Sequence, residues 1–348
     1  MAKRKKPETR DFEGKLRDFP LYRTRQELKA NGFSRIKVLL PHQVEPYTKA
    51  AWDWVKSFGT GIDEENPKTL TPYYFPPGIR GLVQHYKVGH SEFFWRMRQE
   101  RGVMRIFADL WDCHVEDLLV SFDGMNFGTT AKPNQNKWPH LDQTNKSEGP
   151  VFYQGCISLT KTNGGLKFLS GSHDLHSKFV DLVMRKNKRT GLYRLSEEEE
   201  NWYRSQPNVT EEFVTSEPGE LTIWDSRTVH WGSRPVRSTD KTLVPVRICM
   251  YVCYIPRNHL LRGLSDPVMI EKAKRKIEDH LKKRIETFES RRMTTHRPYP
   301  VKMFSQDYWP IGSRRNAANF VDRPVIRDED LTEQMRLLIG YPMKDVVQ

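Results

Sequence analysis

The N-terminal third of the chain alternates between helical patterns and turn-rich stretches. Residues 1 to about 20 are charged and poor in aliphatic side chains, so we expect a disordered basic tail. Pro41 opens a segment whose apolar residues recur at helical spacing: Val44, Tyr47, Ala51 and Trp54. A second helical pattern covers 92–108 and is interrupted at Gly102. The stretch 61–81 between these segments is rich in Pro and Gly and is predicted to be a loop.

From Leu118 onwards the pattern changes to short strand-like runs that are separated by turn residues. These runs lie at 118–122, 151–159, 165–168, 220–224 and 244–255. Leading helices followed by a series of short strands favour an α+β fold, in which helical buttresses cover a β-sandwich or jelly roll.

Two helical segments complete the predicted domain. Residues 172–204 interrupt the strands with a polar, largely helical insertion. After the last strand, apolar residues at every third or fourth position predict an amphipathic helix that packs on the barrel: Ile270, Ala273, Ile277, Leu281, Ile285 and Phe288. We therefore expect one domain over 21–348, with a jelly-roll core at about 118–256 and a C-terminal helical extension at about 265–348.

The composition gives weaker indications of partners and location. The net charge of +13 and the pI near 9.5 suit an encounter with polyanions such as nucleic acid. Part of the excess lies in the basic run at 3–6, which is also a candidate nuclear import signal. Charge interrupts every hydrophobic stretch, so we expect no transmembrane segment and an intracellular protein, in the cytoplasm or the nucleus. The four cysteines form no CxxC pair and are expected to be reduced thiols.

Three His-x-acid patterns are candidates for part of a metal site. On a strand, residues i and i+2 project from one face about 6.6 Å apart and can converge on one ion, whereas on a helix they point apart. The pattern at 90–92 begins a helical segment and is rejected for that reason. The pattern at 114–116 lies in a turn, with no later strand arranged to supply a third ligand. His140 and Asp142 begin the β-rich half and are the preferred pair.

His230 is the candidate third ligand, because it follows the strand-like residues 220–225 near the end of the same predicted barrel. Two histidines and one carboxylate leave three positions of Fe(II) open, two for a chelating oxoacid and one for dioxygen. Arg247 opens the next predicted strand, and a guanidinium can hold the distal carboxylate of such an oxoacid through two parallel hydrogen bonds. In this order, the residues indicate a mononuclear iron oxygenase.

Several motifs follow one another in a fixed order along the second half of the chain. His140-Leu141-Asp142-Gln143 is followed by Gly155-Cys156-Ile157-Ser158-Leu159, by the Gly-Gly-Leu-Lys-Phe-Leu-Ser-Gly-Ser-His run at 164–173, and then by His230 and Arg247. Over approximately 120–256 this order resembles the phytanoyl-CoA dioxygenase-like family of Fe(II) and 2-oxoglutarate dependent oxygenases. The resemblance implies a double-stranded β-helix of the jelly-roll or cupin type, with Fe(II) bound by His140, Asp142 and His230. It also implies 2-oxoglutarate chelated to the iron and held by Arg247.

The resemblance carries further expectations for the site. In the family, a hydroxyl residue often stands two positions after the distal histidine; here that position is Gly232, and Ser233 follows. We expect Ser233 and Thr228 to assist Arg247 in holding the cosubstrate. Iron halogenases of the same fold replace the carboxylate ligand with a small side chain, so Asp142 favours hydroxylation, with succinate and carbon dioxide as co-products. Ascorbate is a candidate reductant.

The substrate does not follow from these motifs, because one fold hosts many chemistries. Our candidate substrate contacts are Trp138, Asn126, Gln143 and His90. Three hypotheses stay open: a dioxygenase that hydroxylates a small molecule, which we favour, an oxygenase that acts on nucleic acid or protein, and a non-catalytic binding module. The complete triad argues against the third.

Overall fold

Two facing β-sheets form the centre of the molecule, and helices from both ends of the chain cover them. The computed structural model describes residues 19–71, 73–78, 81–129, 137–161, 165–184, 192–232, 246–303 and 319–343. The predicted N-terminal tail therefore lies almost entirely outside the described residues. Among the described helices, none combines the length and the apolar composition that a bilayer span requires.

The strands are short, and most of them come from the predicted β-rich half of the chain. In chain order they are β1 (Phe33–Lys37), β2 (Leu82–Val83), β3 (Leu118–Val120), β4 (Met125–Thr129), β5 (His140–Leu141), β6 (Tyr153–Ser158), β7 (Leu166–Ser170), β8 (Tyr193–Arg194), β9 (Thr210–Val214), β10 (Glu220–Asp225), β11 (His230–Gly232) and β12 (Val246–Pro256).

The chain winds back and forth between the two sheets. Within the described ranges, the larger sheet has the order β1-β10-β6-β12-β4-β2, with β3 also paired to β12, and the smaller sheet has the order β8-β5-β11-β7-β9. From β4 to β12, most consecutive strands lie in opposite sheets, and the pairing is antiparallel. This winding is that of a double-stranded β-helix, so the predicted α+β jelly roll with helical buttresses is confirmed.

The inner faces of the two sheets pack directly on each other. The rings of Phe33 on β1 and Phe168 on β7 stack with their centroids 4.3 Å apart. On β12, Cys249 joins this inner cluster, whereas Ile248 and Met250 point to the helices on the outside. Because strand side chains alternate between faces, Arg247 shares the inner face with Cys249. The barrel interior therefore receives polar as well as apolar side chains.

Helices cover the outer face of the larger sheet and the ends of the barrel. They are α1 (Phe19–Asn31), α2 (Pro41–Lys56), α3 (Glu92–Arg98), α4 (Arg101–Leu110), α5 (His176–Leu182), α6 (Glu197–Arg204), α7 (Pro267–Glu289) and α8 (Glu333–Ile339). Apolar side chains of α2, α3 and α4 form one core cluster with the outward residues of β6, β10 and β12. Each fully buried aliphatic or aromatic side chain of this kind contributes about 1.5–3 kcal/mol to the free energy of unfolding.

The prediction that Gly102 interrupts its helix is wrong. The break falls between α3 and α4, at Gln99 and Glu100, and Gly102 lies inside α4. A Cβ atom at Gly102 would stand 2.4 Å from the carbonyl oxygen of Val38. The glycine is therefore required for the close approach of α4 to the segment after β1, not for a turn.

The C-terminal extension is bound to the barrel through a buried arginine on α7. The Arg284 guanidinium donates hydrogen bonds to four backbone carbonyls, those of Val120, Pro298, Leu338 and Ile339. Its side chain is fully buried and lies over the ring of Phe122, with Cζ 4.8 Å from the ring centroid. One side chain on α7 thus joins β3 and the last two residues of α8.

Candidate metal centre and cosubstrate site

Two histidines and one aspartate meet on the inner face of the smaller sheet. His140 on β5 and His230 on β11 are paired residues, and Asp142 comes directly after β5. The Nε2 atoms of His230 and His140 lie 3.3 Å and 3.9 Å from Asp142 Oδ2, and donor atoms of the three residues lie within 4.8 Å of one another. Neighbouring donors on an octahedral ion with bonds of about 2.1 Å stand about 3 Å apart. Small movements would therefore let the three side chains share one metal ion.

The backbone orients both imidazoles in the same way. Nδ1 of His140 lies 3.2 Å from the carbonyl oxygen of Trp138, and Nδ1 of His230 lies 2.9 Å from that of Thr228. A carbonyl oxygen only accepts, so each Nδ1 carries the proton and each Nε2 keeps a free lone pair for a metal. Burial, followed by the effect of His230, lowers the pKa of His140 to about 3, which keeps this imidazole neutral.

Asp142 supplies a buried negative charge with one unsatisfied oxygen. Its side chain is 1% exposed, and burial alone would raise the pKa of the carboxyl. His296, His230 and His140 outweigh that effect and hold the pKa well below its usual value. The Gln154 amide donates to Oδ2, whereas Oδ1 has no hydrogen-bond partner among the described residues. A buried carboxylate oxygen without a partner is unfavourable, and a hydrogen-bond donor or a cation beside Oδ1 would offset that cost.

Arg247 lies on the inner face of β12, in the larger sheet. It borders a small cavity between the sheets whose other lining residues are Cys156, Ser158, Gly165, Leu166, Val214, Ser216 and Thr222. Leu166 is paired with Gly232, one inward position, or about 6.6 Å, along the strands from His230. The Arg247 side chain is buried. Burial alone would lower its pKa, but Cys249, Tyr251 and Cys156 raise it, so the guanidinium stays charged.

Of the two hydroxyl groups predicted to help Arg247, only that of Thr228 lies in the described residues, and it has another partner. The Thr228 hydroxyl donates to the carbonyl oxygen of Gly32 at 2.9 Å and fastens the turn before β1, so it is not directed at a cosubstrate. Ser233 lies outside the described residues. Ser158, Ser216 and Thr222 line the Arg247 cavity instead. Sequence reasoning missed them because they lie on three separate segments and belong to no common motif.

Two of the predicted substrate contacts lie close to the candidate site. The indole of Trp138 stacks on the imidazole of His140, with ring centroids 4.2 Å apart and an interplanar angle of 8°. Asn126 on β4 is paired with Cys249 and therefore faces the barrel interior. Contact of either residue with a substrate stays a prediction.

The other two predicted substrate contacts have structural roles. Gln143 is fully buried and donates to the carbonyl oxygens of Asn145 and Gly149 and to the Ser147 hydroxyl, while its own oxygen accepts from Val151 and Ser226. This amide holds the turn after Asp142 and has no capacity left for a ligand. His90 is enclosed by Trp95, Phe122 and Phe288, and its Nε2 hydrogen-bonds the Arg292 carbonyl oxygen at 2.9 Å. It is a core residue rather than part of a cavity wall.

One residue near the triad has no counterpart in the predicted site. His296, in the extension after α7, places Nε2 3.5 Å from Asp142 Oδ1. Its ring packs near Phe152, with centroids 5.4 Å apart, and the adjacent Arg297 donates to the backbone carbonyl of Asp142. In the sequence, His296 stands alone in a polar stretch, and no ligand spacing connects it to the triad.

The fold and the donor set together are typical of mononuclear non-haem iron oxygenases. Residues 72–242 match the model of the phytanoyl-CoA dioxygenase (PhyH) family. The resemblance seen in the motifs is therefore confirmed.

Similar proteins include one curated relative and several solved structures. The chain is 29% identical over 230 residues to Ava biosynthesis cluster protein O from Aspergillus versicolor, covering 62% of this chain and 71% of that protein. The epimerase SnoN, crystallised with Fe3+, alpha-ketoglutarate and nogalamycin RO, is 16% identical with a TM-score of 0.45, covering 71% of this chain and 92% of that chain. AviO1 from Streptomyces viridochromogenes Tue57 is 14% identical with a TM-score of 0.43, covering 67% of this chain and 93% of that chain.

Proposed function

We propose that this protein is an Fe(II) and 2-oxoglutarate dependent dioxygenase that hydroxylates a small molecule. One observation carries the proposal. Two imidazole nitrogens and one buried carboxylate oxygen lie within 4.8 Å of one another, and Leu166, one inward position along the barrel from His230, lines the same cavity as the charged Arg247.

The residues present fit the implied cofactors. His140, Asp142 and His230 would hold Fe(II), since two nitrogens and one carboxylate oxygen form a suitable donor set. Arg247 would hold the distal carboxylate of 2-oxoglutarate in the cavity that Ser158 and Thr222 also line. When bound, the iron and the oxoacid would supply an oxidative decarboxylation that consumes dioxygen: one oxygen atom enters succinate as carbon dioxide is released, and the other is inserted into a substrate C–H bond.

The protein itself contributes orientation and exclusion of water. The carbonyls of Trp138 and Thr228 fix the imidazole tautomers, and Gln154 holds the carboxylate through Oδ2. Phe168 and Trp224 close the back of the site: their rings lie 6.0 Å and 5.2 Å from the ring of His230. A dry, preorganised environment strengthens these electrostatic contacts.

A small molecule is the substrate class that we favour. The Aspergillus versicolor relative carries the name of a biosynthesis cluster, which supports a small metabolite over a macromolecule. A nucleic-acid or protein substrate is supported only by the overall charge, and the basic run at 3–6 lies outside the described residues. Retention on nucleic acid that weakens steeply with added salt would favour that alternative.

The proposal is tested by cosubstrate turnover. Purified protein with Fe(II), ascorbate and 2-oxoglutarate should release succinate, at least at a slow rate uncoupled from substrate. His140→Ala and Asp142→Ala should reduce succinate release to the background without protein. His114→Ala is the matched control, because His114 is exposed and lies in the turn before β3. If the wild type forms no succinate and binds no divalent metal, the proposed function is wrong.

A further inference from the structure

The C-terminal extension reaches the metal centre through a firmly anchored segment. After α7, the backbone nitrogen of Thr294 donates to the Phe122 carbonyl at 3.1 Å, and the Phe122 nitrogen donates to the Thr294 hydroxyl at 2.9 Å. Two positions before Thr294, the backbone carbonyl of Arg292 accepts a hydrogen bond from His90. These bonds fix the backbone two residues before His296.

His296 and Asp142 present unpartnered polar atoms to each other. Nε2 of His296 and Oδ1 of Asp142 are both inaccessible to solvent, and neither has a hydrogen-bond partner in the described part of the chain. Their separation of 3.5 Å is slightly longer than the usual N–H···O distance of about 2.7–3.2 Å. A small rotation of either side chain would therefore form the bond.

The two oxygens of Asp142 face different partners. Oδ2 faces the Nε2 atoms of His140 and His230, whereas Oδ1 faces His296. His296 does not belong to the group whose donor atoms lie within 4.8 Å of one another. Its position suits a residue that orients the carboxylate rather than one that binds the metal.

We propose that His296 is a positioning residue, which donates a hydrogen bond to Oδ1 of Asp142 and so presents Oδ2 to the metal. The inference deepens the proposed function and rests on it. Arg297 reinforces the arrangement, because it donates to the backbone carbonyl of the same aspartate and lies over the Phe152 ring at 5.4 Å. The extension beyond the family match at 72–242 thus supplies part of the metal centre.

Groups that hold a metal ligand in this way have measurable effects on affinity. Loss of such a partner typically weakens metal binding by about 10- to 100-fold. The substitution His296→Leu removes the donor and fills the space with an apolar side chain. We therefore expect it to raise the dissociation constant for Co(II) or Mn(II) by about 10- to 100-fold. His296→Gln keeps an N–H donor and should recover most of that loss.

The experiment is a Co(II) titration of full-length wild type, His296→Leu and His296→Gln, followed by visible absorption and by calorimetry. Thermal melts without metal show whether each variant is folded, and His114→Leu serves as the exposed-histidine control. Weak binding by His296→Leu with recovery in His296→Gln supports the inference. Equal affinity in His296→Leu and wild type, or an equal loss in both variants, overturns it.

The same titration separates this inference from the proposed function. If wild type binds Co(II) and His140→Ala does not, while His296→Leu binds as wild type does, only the role of His296 is wrong. If the wild type itself binds no metal, the proposed function and the inference both fail. A His296→Leu protein that melts well below wild type is replaced by His296→Ala, which also lacks the donor and for which the same weakening of metal affinity is expected.

Discussion

His140 and His230 form a directly opposed pair on neighbouring antiparallel strands, with ring centroids 4.2 Å apart. The register of β11 fixes this meeting, because a slip of one residue would turn an imidazole to the opposite face of the sheet. Three residue pairs between β11 and β7, among them His230 with Phe168, hold that register. The candidate metal centre therefore depends on strand pairing as much as on the three side chains themselves.

Arg247→Gln should impair cosubstrate binding selectively. A hydrogen bond to a charged group contributes about 1.5–3 kcal/mol to the free energy of binding. We therefore expect the KM for 2-oxoglutarate to rise by about 10- to 100-fold. Succinate release at a series of 2-oxoglutarate concentrations measures this change. Arg96→Gln is the control, because Arg96 is exposed and pairs with Glu92 on its own helix. An unchanged KM in Arg247→Gln would contradict the assignment of this residue.

Gln143→Leu should destabilise the turn that follows Asp142. The substitution leaves a buried hydroxyl and several backbone groups without their partner, and we expect the free energy of unfolding to fall by about 2–3 kcal/mol. Urea denaturation measures the loss. Asn145→Ala, an exposed change in the same turn, should stay within about 0.5 kcal/mol of wild type. Similar values for the two variants would show that Gln143 does not hold the turn.

Gly102→Ala tests the close approach of α4 to the segment after β1. Helix propensity alone favours alanine by about 1 kcal/mol, but a Cβ 2.4 Å from the Val38 carbonyl oxygen forces the backbones apart. We expect a net destabilisation of about 1–3 kcal/mol in chemical denaturation. Gly149→Ala is the matched control, since no heavy atom lies within 4 Å of the added Cβ. A stabilised Gly102→Ala protein would show that the packing is looser than described.

The buried histidine His90 should make the protein sensitive to acid. Burial, reinforced by Arg98, Arg291 and Lys87, lowers its pKa to about 3, against about 6.5 in the unfolded chain. Between these values the unfolded state binds a proton that the native state does not, so the free energy of unfolding falls as the pH decreases from about 6.5 towards 3.

This effect is measured by urea denaturation of wild type and His90→Gln at pH 7 and pH 5. From pH 7 to pH 5, the free energy of unfolding of wild type should fall by on the order of 2 kcal/mol more than that of the variant. The variant has no imidazole to protonate at this position. Lower overall stability of His90→Gln does not affect the comparison, because each protein serves as its own reference. The same fall in both proteins would show that burial of His90 does not cause the acid sensitivity.

The fold and the meeting of the three candidate ligands could be predicted because both depend on regular features of the sequence. Strand-like runs give the jelly roll, and the order of His140, Asp142, His230 and Arg247 within those runs gives the site. The helix break near Gly102 was misplaced, because the sequence does not show that this glycine meets the Val38 carbonyl. Gln143 was assigned to the substrate because an amide beside a ligand has the same sequence pattern whether it faces a cavity or its own turn.

His296 could not have been found in the same way. Its approach to Asp142 depends on the path of the chain after α7, and that path is set by contacts between residues distant in sequence, such as Thr294 with Phe122. Periodicity places α7 on the barrel but says nothing of where the following loop ends. The serine and threonine residues of the Arg247 cavity were missed for a similar reason, since only the folded barrel brings them together.

The hydrogen bonds from Arg284 to four carbonyl groups predict the effect of removing the C-terminal extension. A chain cut after β12 would still contain the three candidate ligands and Arg247, but it would lose the hydrogen bond that Arg284 donates to the Val120 carbonyl at the end of β3. It would also expose to solvent the apolar surface that Phe288 and Leu338 cover in the full chain. Such a fragment should aggregate rather than behave as a minimal enzyme.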